Sequence, residues 1–242
     1  MIETIQLNWA APCAIRACCT TRMGGVSAAP FDSLNLALHV GDDAGRVTRN
    51  RKLLREQLKL PTEPCWINQT HGTRTVTLGQ DVARAADAAV TRVAGTVAVV
   101  MTADCLPILL CNRAGSEVGA VHAGWRGLQA GVIQSALATM NSSNHQLMAW
   151  IGPGISQACF EVGDEVRTAF IDSMPDAQTF FSANRRGHWL CDLAGLAEQV
   201  LKAQGVGEVS RDSHCSYGDS DRFYSYRRSA TTGRMAALIW IN

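Results

Sequence analysis

Three short stretches of the chain set an imidazole or a thiol among small neighbours: NQTHG at 68–72, TADCLP at 102–107 and AVHAGWRG at 120–127. Each falls at the end of a strand-like run, where glycine or alanine lets a second group approach closely. His71, Cys105 and His122 together make a His₂Cys set. Zinc takes N and S ligands of this kind tetrahedrally, and three protein ligands leave a fourth position for water or substrate. Zinc held that way generates hydroxide near neutral pH and polarises a bound oxygen. The same residue types suit a Cys–His nucleophile pair. No short ligand motif links the three positions, so residue types alone leave both chemistries open.

Asp104 sharpens the question, because it breaks MTADCLPILL (101–110), which otherwise reads as a buried strand. A buried carboxylate is costly unless something pairs with it. Asp104 is therefore read either as an acid/base or ligand-orienting group beside Cys105, or as a carboxylate that caps a turn or meets an arginine. Arg126, in the pair Trp125-Arg126 flanked by glycines, opens a predicted helix and Arg22 sits in a glycine-rich turn, placements that suit an anionic substrate. Asn35, His39 and Gln69 are candidate polar contacts to a sugar or base. Tyr226, Arg227 and Arg228 are read as holding the C-terminal strand rather than lining a substrate mouth. His145, His188 and His214 are expected on surfaces, and the remaining cysteines as core or surface thiols.

Several elements must position these groups. AIRACCTT (14–21) reads as a first strand, and residues 42–60 carry Val47, Leu54 and Leu58 at helical spacing. CWINQTHGTRTVTL reads as two short strands around a turn at Gly72. GTVAVVMT, PILLCN and EVGAVHAG are three further strands. WRGLQAGVIQSALATM is expected as one helix with Leu128, Val132, Ile133, Ala136 and Leu137 along a stripe. HQLMAWIGPGI returns to strand, helices follow near GDEVRTAFIDSM and LAGLAEQVLKAQG, and GRMAALIWIN closes the chain as a strand. This order predicts an α+β fold, a layered domain of mixed β-sheet flanked by helices and spanning residues 1–242.

Composition narrows the function classes. A formal charge of +1 gives no global field for nucleic acid or an anionic membrane. Nine cysteines, an odd count that includes the adjacent Cys18 and Cys19, argue against a secreted disulfide scaffold. The N-terminus MIETIQLNWAAPCA lacks the basic and apolar regions of a signal peptide. Apolar runs fall short of the roughly 20 residues a membrane span needs. A soluble cytoplasmic enzyme of a small-molecule substrate is expected, monomeric by default and without nucleic-acid or membrane partners.

TRMGGVS, SLNLALHVGDD, NQTHG, MTADCLPILLCNRAGSEVGAVHAGWRGL, IGPGISQACFEVGDEV and FYSYRRSATTGRMAALIWI occur in order through nearly the whole chain. In these segments the sequence closely resembles the bacterial YfiH proteins of the laccase-domain family, labelled polyphenol oxidoreductases, to which the vertebrate purine-metabolising protein FAMIN also belongs. The resemblance implies one zinc per chain on His71, Cys105 and His122, with mixed sheets flanked by helices. One departure is Gly154, where the IGP loop is expected to carry Cys or Ala; no chemical role is assigned there. The resemblance also implies phosphorolysis of adenosine, inosine and 5′-methylthioadenosine, with adenosine deamination as a second activity. An alternative it implies is an amide hydrolase that edits peptidoglycan precursors by removing L-serine from UDP-N-acetylmuramoyl-L-serine. The older family label implies a copper-dependent phenol oxidase, which is disfavoured because multicopper sites use many histidines and this chain has six.

Overall fold

The apolar runs become strands buried on both faces, because two sheets are stacked and each carries helices on its outer side. The computed structural model describes residues 1–82 and 85–242. In chain order the first strands are β1 (Thr4–Ile5), β2 (Ile15–Thr20), β3 (Thr75–Thr77), β4 (Ala88–Thr91), β5 (Ala98–Thr102), β6 (Leu106–Asn112) and β7 (Val118–Ala123). They are followed by β8 (Leu147–Ile151), β9 (Glu161–Gly163), β10 (Phe181–Arg185), β11 (His188–Cys191), β12 (Glu208–Arg211) and β13 (Met235–Ile241). The helices are α1 (Ala44–Gln57), α2 (Trp125–Ala130), α3 (Val132–Thr139), α4 (Asp164–Ser173) and α5 (Leu193–Ala203).

One sheet runs β1-β2-β13-β5 and the other β12-β8-β6-β7-β4-β3, while β10-β11-β9 form a small third sheet. Both parallel and antiparallel pairs occur: β3 runs parallel to β4 and β12 to β8, whereas β6 is antiparallel to both β7 and β8. The period-two alternation of a strand sends successive residues to opposite faces. In β6, Leu106, Ile108 and Leu110 pack outward with Leu128, Ile133, Phe170 and Leu196 of the helices. Leu109 and Cys111 point the other way, into the core between the sheets. In β13, Met235, Ala237 and Ile239 join that same inner core, while Ala236, Leu238 and Trp240 face Leu54 of α1. The layers are thus α1, sheet, sheet, and α2 to α5, the α+β architecture that the element order suggests.

Two local expectations need correction. The run from Trp125 to Thr139 is two helices rather than one, broken at Gly131 with φ of 102°. The Gly131 N–H donates to the carbonyls of Gly127 and Leu128, closing α2 in the left-handed conformation that glycine adopts at low cost. The apolar stripe survives the break, since Leu128, Val132, Ile133, Ala136 and Leu137 are all buried. Around Gly72 only β3 forms a strand, and residues 65 and 68 make isolated bridges. The backbone there is held by a buried carboxylate instead of a ladder. Among the described residues, no helix is long and apolar enough to cross a membrane.

Candidate metal centre and its cavity

β5 belongs to the first sheet and β6 to the second, so Ala103 to Cys105 is the stretch where the chain crosses between stacked sheets. The break in the apolar run has this structural origin. Asp104 makes the crossing with φ of 87°, and His71, in the loop before β3, has φ of 60°. Positive φ is uncommon for residues other than glycine, and here it occurs at a candidate ligand and beside another. His122 comes from β7, opposite Pro107 of β6.

The three ligand atoms lie within 4.8 Å of one another. Cys105 Sγ is 3.8 Å from His71 Nε2, and the two imidazole rings meet edge-on with centroids 4.8 Å apart. Gly124 leaves the space: a Cβ there would fall 2.9 Å from Cys105 Sγ and 3.0 Å from His71 Cδ2. His122 is buried, Cys105 half-buried and His71 exposed, so the group is closed behind and open towards solvent. A compact His₂Cys set with one open side fits a borderline metal such as zinc, whose bonds to N and S of roughly 2.0–2.3 Å need only a small contraction.

Asp87 organises this group, and sequence reasoning did not single it out. Its carboxylate accepts the N–H groups of His71 at 2.9 Å and Gly72 at 2.7 Å, and both the N–H and hydroxyl of Thr70. It also lies 2.8 Å from His122 Nδ1. One fully buried carboxylate therefore sets the ring of His122, with Nε2 turned to the cleft, and the backbone that carries His71. Carboxylates commonly orient metal-binding histidines through the second ring nitrogen. Burial alone would raise the Asp87 pKa; His122 and the Gly72 and Thr70 N–H groups outweigh it and hold the acid at about 2. The available signal was an acid inside the apolar run AADAAV, for a buried carboxylate needs partners.

The group favours a charged sulfur. Burial opposes ionisation of Cys105, but His122 and then His71 prevail and bring the thiol down to about 6. Burial likewise opposes a charge on His122, yet Cys105 and Asp87 raise it to about 9. A thiolate is the form that binds a metal.

The open side faces a cavity of about 490 Å³, within the range of small-molecule sites. Its walls include His39, Gln69, Arg126, Tyr226, Arg227 and Arg234. The sequence-predicted His39, Gln69, Asp104 and Arg126 thus come together with the metal group. Gln69 spends its amide on both backbone groups of Met101. Arg126 stacks on Trp125, with its Cζ 4.4 Å from the ring centroid. Partial burial, then Arg234 and Arg51, hold His39 below the ordinary imidazole pKa.

Arg22 and Asn35 are not brought to the cavity. Arg22 is tied to Asp32 and to the Ser220 carbonyl, and Asn35 is fully buried, bonded to Ala37, Asp42 and the Arg234 N–H. Tyr226 and Arg227 line the cavity, a correction to their expected role in holding the terminal strand. Arg228 does keep a structural role, donating to the carbonyls of Ser216, Tyr217 and Phe223. Arg234, which the sequence did not suggest, donates to the carbonyls of Thr232 and Gly233. The Asp104 carboxylate accepts from the hydroxyls of Ser216 and Ser225 and from the Arg227 N–H at 2.6 Å. At Gly154 a Cβ would lie 2.5 Å from Leu106 Cδ2 and 3.1 Å from the Asp104 carbonyl, so the Leu106 side chain would have to shift to admit the side chains expected there.

The family model described as multi-copper polyphenol oxidoreductase laccase matches residues 16–242. A Pseudomonas aeruginosa relative named purine nucleoside phosphorylase is 46% identical over 97% of this chain and 96% of its own. The Escherichia coli purine nucleoside phosphorylase YfiH is 44% identical, with 100% of both chains covered. A crystal structure of a Neisseria meningitidis protein superposes with a TM-score of 0.94 at 45% identity, covering 100% of this chain and 99% of that one.

Proposed function

The chain belongs to the multi-copper polyphenol oxidoreductase laccase family, and on that footing we propose that it is a purine nucleoside phosphorylase dependent on one zinc per chain. The observation that carries this is the meeting of a His₂Cys group with three guanidinium groups in one cavity of nucleoside size. The printed names of the Pseudomonas and Escherichia relatives support it. Adenosine, inosine and 5′-methylthioadenosine are the proposed substrates, with adenosine deamination as a second activity.

Phosphorolysis joins a phosphate oxygen to C1′ of the ribose as the bond from C1′ to the purine nitrogen breaks. Arg126, Arg227 and Arg234 suit the phosphate, since planar guanidinium forks bind its oxygens in pairs. Their contacts with Trp125, the Glu161 carbonyl and the Thr232 and Gly233 carbonyls orient them without neutralising them. His39, neutral at pH 7, can hydrogen-bond to ribose or purine. Tyr226 is 57% exposed and offers a ring for the base to lie on. Zinc, when bound by His71, Cys105 and His122, supplies Lewis acidity. Asp104 acts through the segment it holds, fixing Tyr226 and Arg227 opposite the metal group.

Zinc is preferred to copper because multicopper electron transfer needs several centres with many histidines. Among the described residues, only His71 and His122 of the six histidines stand in a metal group. The site draws on both sheets, which supports residues 1–242 as one domain. Nine free cysteines support a reducing, cytoplasmic setting.

The test is a substrate panel on purified, zinc-loaded protein. Adenosine, inosine and 5′-methylthioadenosine, each with and without phosphate, are compared with UDP-N-acetylmuramoyl-L-serine. Phosphate-dependent release of purine base is expected. Release of L-serine with no phosphate-dependent base release would replace this function with amide hydrolysis.

A further inference from the structure

Two thiols outside the metal group meet beyond Asp104. Cys215 forms an isolated parallel bridge with Gly154, and the Ser216 N–H donates to the Gly154 carbonyl at 2.9 Å. That pairing brings the Cys215 sulfur to the N–H groups of Ser156 and Gly218, each 3.3 Å away. Cys159 ends the short 3-10 turn Gln157–Cys159. Its N–H donates to the Ser156 carbonyl at 3.0 Å, so Cys159 and the Cys215 sulfur are both bonded to the backbone of the same residue, Ser156. Both cysteines are partly exposed, whereas Cys19, Cys111 and Cys191 are buried.

Two amide N–H groups aimed at one sulfur favour the thiolate, because an anion is the better acceptor. Burial alone would raise the Cys215 pKa, but the contacts from Ser156 and Gly218 outweigh it and lower it. Burial, reinforced by the neighbouring sulfur, raises Cys159. The pair is therefore unequal. One sulfur is prepared to attack, and the other waits as a thiol beside it, the pairing that redox-responsive cysteines use.

We infer that Cys215 and Cys159 form a redox-active dithiol, with Cys215 reacting with hydroperoxides and Cys159 resolving the product. The Cys215 thiolate attacks the O–O bond, forming a sulfenic acid and releasing hydroxide or alkoxide, which takes up a proton. The Cys159 sulfur then attacks the Cys215 sulfur, the S–S bond forms, and the sulfenic oxygen leaves as water with the Cys159 proton. Two thiols lose two electrons in all, and the peroxide gains them. The bond would tie the strip carrying Ile155 and Phe160, which line the cavity, to the segment whose Ser216, Ser225 and Arg227 hold Asp104.

The test uses the full-length protein with its metal retained, treated with equimolar hydrogen peroxide and mapped by peptide mass spectrometry. A Cys159–Cys215 disulfide is expected, with loss of two hydrogens' mass and reversal by dithiothreitol. Cys159→Ser should stop at the sulfenic acid, trapped on Cys215 by dimedone. In the untreated wild type, iodoacetamide should label Cys215 roughly tenfold faster than the exposed Cys13 at pH 7. Oxidation of Cys13 or Cys105 ahead of Cys215, or Cys215 labelling no faster than Cys13, would overturn the inference.

Discussion

The two walls of the cavity are built in different ways. The metal wall hangs on strands: His122 lies within β7, Cys105 immediately precedes β6, and Asp87 immediately precedes β4. The facing wall is a set of turns between β12 and β13, in which the Ser225 hydroxyl and the Arg227 N–H on either side of Tyr226 donate to Asp104, and the Arg234 N–H donates to Asn35. Metal ligation tolerates little misplacement, and the proposed ligands are set by sheet geometry and a buried carboxylate. Recognition of a substrate can be carried by loops on that rigid frame. Damage to the first wall should therefore remove the metal, and damage to the second should spare it.

The largest effect belongs to the ligands. His122→Ala is expected to lose zinc and to bring activity to background, as read by elemental analysis and turnover on one preparation. Full zinc occupancy would remove His122 from the ligand set. Asp87→Asn should follow, weakening metal affinity by roughly 10–100-fold, the usual cost of losing a group that orients a ligand. Asp87 also gives a pH test. Its folded pKa is depressed to about 2, so the stability it contributes is present above the ordinary carboxylate pKa of about 4 and is lost as pH falls towards 2. Acid unfolding of wild type should show a transition in that window that Asp87→Asn lacks.

Among the substrate contacts, Arg126→Ala, in α2 beside the metal wall, should lower kcat/KM for phosphate about tenfold, or roughly 1.4 kcal/mol, with metal content unchanged. Arg126→Lys should recover little, because it lacks the planar fork. Unchanged phosphate dependence would place Arg126 outside the substrate site. Asp104→Asn should change activity least, its effect falling on stability, at a cost of about 2 kcal/mol through weakened charged hydrogen bonds. At this chain length that lowers Tm by roughly 4–8 °C. Zinc should stay bound; its loss would mean that the two walls are not independent.

The same contrast separates what the sequence disclosed from what it hid. His71, Cys105 and His122 were legible because each interrupts or ends an apolar run that has no packing need for it. Asp87 was hidden since an isolated acid near a strand start does not reveal five converging donors. Arg234, Tyr226 and Arg227 gave no pattern, because turns bring them to the cavity from a segment with no period. Arg22 and Asn35 looked like contacts for the opposite reason: polar residues in glycine-rich turns can serve the fold, and here both are consumed by it. Of the strands, β5 to β8 and β13 were readable as buried runs, while β9 to β12 have three to five residues each, too few to show alternation. The break at Gly131 left the helical stripe intact, so the stripe could not announce it.

The central claim is that Cys105 serves as a metal ligand, and Cys105→Ser tests it most directly. The variant and the wild type are purified in parallel without added metal, and zinc per chain is measured beside activity. Loss of zinc and activity together is expected, as is slow iodoacetamide labelling of wild-type Cys105 that accelerates once a chelator removes the metal. Full zinc occupancy in a folded Cys105→Ser protein with activity abolished would contradict the claim and make Cys105 a nucleophile beside its histidines.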